Sequence, residues 1–316
     1  MQKQVVIIGA GLSGLSAAQA LNRAGIPPLV LDKGSRPGGR MATRPFEGAI
    51  FDYGAQFFTV RSEKFASMQR GWEARGLVKV WSKGFNGQQD GHPRYIAPGG
   101  MNSLASDLAL GITVRNGVKV SGISLKGGQW RLETDSGEVL VADGVIATMP
   151  VEQTLALLDF VLAAEERETL GRIEYERCLA LMAILDQPAE LPEPGARQLP
   201  GGEPVSWMAD NQRKGLTAVA NAVTIHAGPE FSLSNWEMAA EDVAAIMLGQ
   251  YQASAWKLHR WKFAKPSVMH PEACFVVTAP CPLVLAGDAF GEARMEGAAL
   301  SGLAAAERLQ VLLSRP

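Results

Sequence analysis

The residues best placed to do chemistry in this 316-residue chain are a few glycines and the acids near them. Gly9-Ala10-Gly11-Leu12-Ser13-Gly14 is a GxGxxG run, and Asp32 stands 18 residues beyond its last glycine. This arrangement suits the pyrophosphate of a dinucleotide. Gly9 makes the tight turn. Gly11 carries no side chain to keep a phosphate from the backbone N–H groups, and Gly14 lets a helix pack close to a sheet. The helix N-terminus adds unpaired donors and the positive end of its dipole. Asp32 can accept from ribose hydroxyls, and its charge repels a 2′-phosphate.

The fingerprint alone does not separate one dinucleotide from another, and an ordinary glycine-rich β–α turn shares its composition. Two further segments narrow it. Lys33-Gly34-Ser35-Arg36-Pro37-Gly38-Gly39-Arg40-Met41 puts a second glycine pair and an arginine close behind the acid, where a guanidinium would meet the diphosphate. Far along the chain, Leu285-Ala286-Gly287-Asp288 ends a strand with an acid suited to a polyol hydroxyl, and Arg294-Met295-Glu296-Gly297-Ala298 opens a helix. The N-terminus of that helix would favour a ring carrying negative charge.

Other chemistries are not indicated. The three cysteines, Cys178, Cys274 and Cys281, form no CxxC, so neither a disulfide framework nor a zinc site is expected. Cys178 and Cys274 read as inert core thiols. The four histidines (His92, His226, His259, His270) show no metal-ligand spacing, so no metal is expected. With 30 Lys+Arg against 32 Asp+Glu the net charge is −2, which gives no general attraction to nucleic acid or membrane. No signal peptide is visible and no run of about 18 apolar residues occurs, so a cytoplasmic address is expected. Hydrophobic residues are 47% and charged residues 20%, as in a globular chain long enough for two domains.

The elements that must position these residues follow from local pattern. Gln4–Ile8 reads as a strand buried on both faces, Leu15–Ala24 as a helix closed by Gly25, and Leu29–Asp32 as a second strand. Ile112–Ile123 and Trp130–Thr134 alternate around Gly127-Gly128 like an antiparallel pair. Val139–Val141 and Gly144–Thr148 add strands. Residues 152–172 and 234–253 read as helices. Strands separated by Pro/Gly-rich connections such as Gln187–Pro204 fill Arg177 to Thr224. Pro282–Asp288 is a buried strand, and Gly297–Leu313 is the last helix. The chain has 34 glycines, and nine of them (Gly9, Gly11, Gly14, Gly38, Gly39, Gly54, Gly100, Gly287, Gly297) are assigned to the candidate site.

Taken together, Asp32, Gly38-Gly39-Arg40, Gly54-Ala55-Gln56-Phe57, Ala147-Thr148-Met149-Pro150 and Gly287-Asp288…Glu296-Gly297-Ala298 resemble the FAD-dependent amine oxidase superfamily. Within it the chain resembles the bacterial renalase-like proteins, through Phe51–Thr59, Trp207–Asn211, His259-Arg260-Trp261 to Pro266, and Arg294–Ala298. The resemblance runs end to end. It implies an α/β fold: a Rossmann-like FAD-binding domain of the glutathione-reductase type, amine oxidase branch, with an inserted α+β substrate domain on a mostly antiparallel sheet. The expected FAD-binding ranges are 1–60, 95–150 and 280–316, and the substrate domain 61–94 and 151–279.

The resemblance also implies roles. Gly9, Gly11, Leu12, Ser13, Gly14 and Asp32 would hold the ADP half, with Arg40 and Met41 at the diphosphate. Val120, in a V-x-x-I pattern with Ile123, would touch adenine through its backbone. Gly54, Ala55, Gln56 and Phe57 would lie along the isoalloxazine, and Gly100 and Met101 belong to a loop near it. Asp288 would bind the ribityl–phosphate region, and Met295, Glu296, Gly297 and Ala298 the N1–C2=O edge. Lys33, Gly39 and Thr148 are counted with the same contacts. The FAD is expected to be held without a covalent bond.

Hydride transfer from a substrate C–H to flavin N5 needs no triad or carboxylate pair, and none is visible. The family's simple amine oxidases flank the amine with two aromatic rings. Here the interval Ala289–Met295 offers Phe290 alone, and Arg294 would disfavour a cationic amine. This points to the renalase-like activity: oxidation of 2- or 6-dihydro-NAD(P) to NAD(P)+, with oxygen as acceptor and hydrogen peroxide released. Pocket candidates are His226, Asn211 and Arg294, with Arg260 nearby in sequence pattern. A structural histidine is the commoner explanation for His226, and an Asx turn and an amphipathic strand explain Asn211 and His259-Arg260-Trp261 equally well. Two other readings stay open: an amine oxidase or desaturase on the same frame, and a non-catalytic flavoprotein. Oligomeric state leaves no mark in the sequence.

Overall fold

Val5-Val6-Ile7-Ile8 (β1) is buried at every position, as a strand covered on both faces must be. It starts a β-α-β unit with the helix Leu12–Arg23 (α1) and the strand Leu29–Asp32 (β2). The computed structural model describes residues 3–199, 201 and 204–314. Residues 1, 2, 200, 202, 203, 315 and 316, which fall within the expected domain ranges and in part within the Gln187–Pro204 connection, lie outside the described residues. The chain divides into two compact units: Met1–Gly39, Leu104–Glu174 and Pro266–Pro316, and Arg40–Ser103 with Tyr175–Lys265.

The first unit is built on a sheet in which β1 pairs in parallel with both β2 and Gly144–Ala147. Thr113–Asn116 continues it in parallel beyond β2, and Leu283–Leu285 beyond Gly144–Ala147. Phe275–Val276 closes the edge antiparallel. A second sheet runs antiparallel through Val120–Lys126, Gln129–Thr134 and Val139–Ala142. The last helix, Met295–Leu313, packs on α1. The fit is close: a Cβ on Gly302 would lie 2.0 Å from the Ser13 carbonyl oxygen.

The second unit carries a five-stranded sheet in the order Ala196–Gln198, Val205–Asp210, Ala222–Ala227, Glu174–Leu185, Ala253–Val268. The registers linking the first four strands are antiparallel. One face packs on the helix Ala240–Leu248 through Leu179, Leu181, Val223, Ile225 and Val243. The hairpin Thr43–Phe46/Ala49–Asp52 packs Ala49 and Phe51 with Met182 and Ala222 of the sheet.

These units divide the chain differently from the expected domain ranges. Residues 40–60 and 95–103 go with the second unit because the apolar face of the hairpin is buried there. Residues 266–279 go with the first because Phe275–Val276 is an edge strand of its sheet, and 151–174 because the helix Val151–Leu158 packs on Val120–Lys126.

Three local expectations change. Ile112–Ile123 is two strands: Gly117, at φ 69°, turns the chain so that Thr113–Asn116 joins one sheet and Val120–Lys126 the other. Residues 152–172 form two helices, Val151–Leu158 and Ala164–Gly171. Residues 234–253 are not one helix: Ser234 ends the helix Pro229–Ser234, Ala240–Leu248 is a second, and Ala253 begins a strand. Among the described residues, no helix is long and apolar enough to cross a membrane. Nor does any group of three or more His, Cys, Asp or Glu among them form a metal-binding cluster.

Candidate functional site

In the first unit the glycine run forms a turn closed from below and open above. Gly9 has φ 110° and donates its N–H to Leu31 O at 2.7 Å. A Cβ there would lie 2.4 Å from Thr148 Oγ1, which itself donates to Ile8 O at 2.9 Å. A Cβ on Gly14 would lie 1.9 Å from Gly9 O. Gly11, the N-cap residue of α1, differs: a Cβ there would meet nothing within 4 Å. It presents the start of a helix with no side-chain cap. Leu12 and Ser13 are buried in the first turn, and the Ser13 hydroxyl has no hydrogen-bond partner among the described residues.

Asp32 locks the rim of this turn. Its carboxylate accepts from Ala10 N at 2.6 Å and Gly34 N at 2.7 Å, which leaves lone pairs for hydroxyl donors. Its carbonyl accepts from Val118 N at 2.9 Å, so the segment leading to Val120 starts beside it. Val120 itself pairs with Thr134. Gly38 N donates to Ala10 O, and a Cβ on Gly39 would lie 3.7 Å from the Gly11 α-carbon. Lys33 is exposed, and its ammonium donates to Gln153 Oε1 at 3.2 Å.

The far end of the chain reaches the same unit. Gly287, at φ 141°, donates its N–H to Ser301 Oγ at 2.9 Å, which fixes the turn bearing Asp288 to the last helix. Arg294 is the N-cap residue of that helix, and its carbonyl accepts from Ala298 N. Met295, Glu296, Gly297 and Ala298 make the first turn, with Glu296 buried. Arg294 is exposed, and its guanidinium makes no hydrogen bond or ion pair among the described residues. The missing side chain of Gly297 has an internal cause, since a Cβ would lie 2.0 Å from Glu292 O.

In the second unit the candidates gather on the backbone of residues 52–57. Ala55 N donates to Arg40 O at 2.9 Å, and a Cβ on Gly54 would lie 2.0 Å from that oxygen. Arg40 Nη1 lies 3.3 Å from Phe263 O, and Met41 is buried. Gln56 is buried, with Nε2 donating to Asp52 O and Gly54 O and with Oε1 unpartnered among the described residues. Phe57 joins a ring cluster with Phe85 and Trp207, at centroid distances of 5.2 and 5.6 Å. Gly100, at φ 90°, packs on Thr43, and Met101 N donates to Asp52 Oδ1 at 2.9 Å.

Asn211 and His226 support the same stretch from below. Asn211 is fully buried. Its Nδ2 donates to Ala222 O and Thr224 Oγ1, and its Oδ1 has no partner among the described residues. Thr224 in turn donates to Asp52 O at 3.0 Å. His226 Nε2 donates to Tyr53 O at 3.1 Å. Burial holds this imidazole down to about 4, against the raising effect of the Tyr53 carbonyl, and the Lys214 ammonium depresses it further. A ring so placed stays neutral at ordinary pH with one nitrogen committed to the backbone. Arg260, the remaining pocket candidate, spends its guanidinium on Trp236 O and Met238 O.

Sequence reasoning missed the centre of this network. Asp52 and Lys214 form an ion pair at 2.8 Å with side-chain exposures of 0% and 1%. The signal was present in Ala49-Ile50-Phe51-Asp52, an acid that ends an apolar hairpin strand and needs a buried partner. Trp261 was noted only as part of a segment, yet its Nε1 shares the Tyr53 carbonyl with His226.

The residues present fit FAD. The open face at Gly11, the unpartnered Ser13 hydroxyl and the spare lone pairs of Asp32 match a pyrophosphate and a ribose. In the second unit, Gln56 Oε1 is a buried acceptor left for a ligand donor.

Comparison with known proteins agrees with this geometry. The pattern of the NAD(P)-binding Rossmann-like domain matches residues 7–70, and that of the flavin containing amine oxidoreductase family matches residues 64–310. Renalase from Mus musculus is 27% identical over a 330-residue alignment that covers 95% of this chain and 96% of the mouse protein. Among solved structures, wild-type putrescine oxidase bound to putrescine aligns with a TM-score of 0.72 at 15% identity, over 98% of this chain and 99% of that one. An oxidoreductase from Methanosarcina mazei aligns with a TM-score of 0.65 at 17% identity, over 96% and 100%. These two likenesses are of fold alone.

Proposed function

The chain belongs to the flavin containing amine oxidoreductase family and is an FAD-dependent oxidoreductase. From that premise we propose that it oxidises an isomeric dihydronicotinamide nucleotide, 2- or 6-dihydro-NAD(P), to NAD(P)+. With oxygen as acceptor the balance is dihydronicotinamide plus O2 plus H+ giving NAD(P)+ plus hydrogen peroxide. The similarity to a renalase along nearly the whole of both chains supports this substrate class.

Arg294 is the observation that carries the reading. It is an exposed guanidinium without an internal partner, set at the N-terminus of a helix whose dipole has the same sign. Both features disfavour a cationic amine and favour a substrate bearing phosphates. Phe290 is buried at 1% exposure and packs on His270, so it is not a free wall for an amine.

FAD, when bound, supplies two-electron acceptor chemistry for a substrate C–H. In this reading the protein's own part is binding, orientation and exclusion of water. Gly11, Leu12, Ser13 and the start of α1 would receive the pyrophosphate, Asp32 the ribose, and Asp288 the ribityl chain. The first turn of the last helix, Met295–Ala298, would lie at the ring edge, with the N–H groups ahead of Ala298 as donors. Residues 54–57 would lie along the ring. His226 and Asn211 would hold that stretch, as their bonds to Tyr53 O and, through Thr224, to Asp52 O support.

Anaerobic mixing with a substrate panel tests the proposal. Rapid bleaching of the visible flavin band by 2- or 6-dihydro-NAD, with none by amines, is expected. Bleaching by amines alone would replace this reading with amine oxidation. No bleaching by any compound would favour a non-catalytic flavoprotein.

A further inference from the structure

Tyr53 O accepts two side-chain hydrogen bonds at once. His226 Nε2 lies 3.1 Å from it and Trp261 Nε1 3.0 Å. A carbonyl oxygen only accepts, so His226 carries its proton on Nε2, and both oxygen lone pairs are used. The flanking carbonyls are also held. Asp52 O accepts from Gln56 Nε2 at 2.6 Å and Thr224 Oγ1 at 3.0 Å, and Gly54 O accepts from Gln56 Nε2 at 3.1 Å.

The neighbouring N–H groups are used too. Tyr53 N donates to Ala42 O at 3.3 Å, and Ala55 N to Arg40 O at 2.9 Å. Gly54 N–H, between them, makes no hydrogen bond among the described residues. It is the nitrogen end of the same peptide group whose oxygen takes two donors. Hydrogen bonds to the oxygen draw electron density from the nitrogen and strengthen its N–H as a donor. The two donors on its oxygen hold the peptide plane, and a Cβ on Gly54 would lie 2.0 Å from Arg40 O, so this close approach admits glycine alone.

We propose that the Gly54 N–H is a binding donor for an electron-rich atom of bound FAD, and that His226 and Trp261 are positioning residues that fix and polarise it. The proposal rests on the reading that residues 54–57 lie along the flavin. It makes His226 act through the backbone, with no role as an acid or base.

Two measurements on the holoenzyme and the apoprotein test it. Tyr53-Gly54 is the sole Tyr-Gly pair in the sequence, so carbonyl-13C tyrosine with 15N glycine isolates this one amide in a spectrum. Trp261→Phe and His226→Phe are each expected to move the Gly54 amide proton upfield in the apoprotein. In the holoenzyme each is expected to lower the equilibrium constant for flavin reduction about tenfold, a fall of about 30 mV for a two-electron couple. His226→Gln, which keeps a donor, should restore both values toward wild type. If His226→Phe does not fold, Trp261→Phe, which keeps a ring and removes the other donor, carries the same test. A moved amide with an unchanged potential would overturn the donor role toward FAD. Lowered thermal stability with both readouts unchanged would reduce the network to a structural one. A wild-type chain that binds no FAD would instead overturn the underlying cofactor reading, and the amide shift would stand apart from that result.

Discussion

Lys214 Nζ lies 2.8 Å from Asp52 Oδ2, and solvent reaches neither side chain. The other oxygen, Oδ1, accepts from the Thr43 hydroxyl at 2.5 Å and the Met101 N–H at 2.9 Å. The Lys214 ammonium also sits 5.6 Å from the centre of the Trp81 ring. One buried ion pair thus ties the hairpin that leads into residues 54–57 to the loop after Val205–Asp210.

Breaking this pair on one side leaves a buried charge uncompensated. Lys214→Met is expected to cost about 3–5 kcal/mol of unfolding free energy, and the double variant Asp52→Asn/Lys214→Met to recover much of it. Urea unfolding of the wild type, both single variants and the double variant gives the coupling energy. A double variant no better than Lys214→Met would show that the pair is not the unit of stability.

Gly11 and Gly14 are three residues apart and should fail differently. Gly14→Ala drives a Cβ to 1.9 Å from Gly9 O, so it should lower thermal stability and flavin content together. Gly11→Ala meets no protein atom within 4 Å and has φ −78°, so it should fold with stability within about 0.5 kcal/mol of wild type. It should nonetheless lose most of its bound flavin. The absorbance ratio of flavin to protein after purification, set beside the melting temperature, separates the two effects.

Acid should weaken the fold before it touches most carboxylates. Burial lowers the His226 and His259 imidazoles from 6.5 to about 4 in the folded chain. As pH falls below 6.5 the unfolded chain takes up these protons first, so stability is fully present above 6.5 and is lost down to about pH 4. Unfolding free energies measured from pH 8 to 4 should show this decline, and His226→Gln should flatten part of it. A profile unchanged by the substitution would mean that His226 does not titrate in this window.

Arg294→Ala should raise KM for a dihydronicotinamide nucleotide about tenfold or more with kcat little changed, as loss of a charge-assisted contact made equally in ground and transition states requires. Arg294→Lys should recover little of this if the contact is bidentate. Steady-state kinetics at two ionic strengths would show the salt dependence diminished in the alanine variant.

The β-α-β start, the glycine turn and the closing strand and helix were legible in the sequence because their signals are local: a four-residue apolar strand, a spaced glycine triplet, an acid at the next strand end. The meaning of the glycines was only partly legible. Gly14, Gly54 and Gly297 are small because another carbonyl of this chain lies about 2 Å from where a Cβ would be, and Gly11 alone among these four faces open space. Composition cannot tell a glycine that makes room for a ligand from one that makes room for the chain. Asp52 and Lys214 stayed hidden because 162 positions separate them, and no period or motif connects a hairpin acid with a loop lysine. His226 was found, but its role was not. That it serves a backbone oxygen depends on where Tyr53 lies, which only the pairing of distant strands decides.

The order in which the chain leaves the ribosome matters for the first unit. Strand β1 emerges long before Gly144–Ala147, Leu283–Leu285 and Phe275–Val276, which extend its sheet on one side. Gly302 fits against the Ser13 carbonyl, and Ser301 accepts from the Gly287 N–H, so the last helix is needed as well. The glycine turn and the elements that complete its unit are therefore synthesised far apart in time. Until then β1 presents four apolar residues and an open edge, the kind of transiently exposed strand that pairs wrongly if folding stalls.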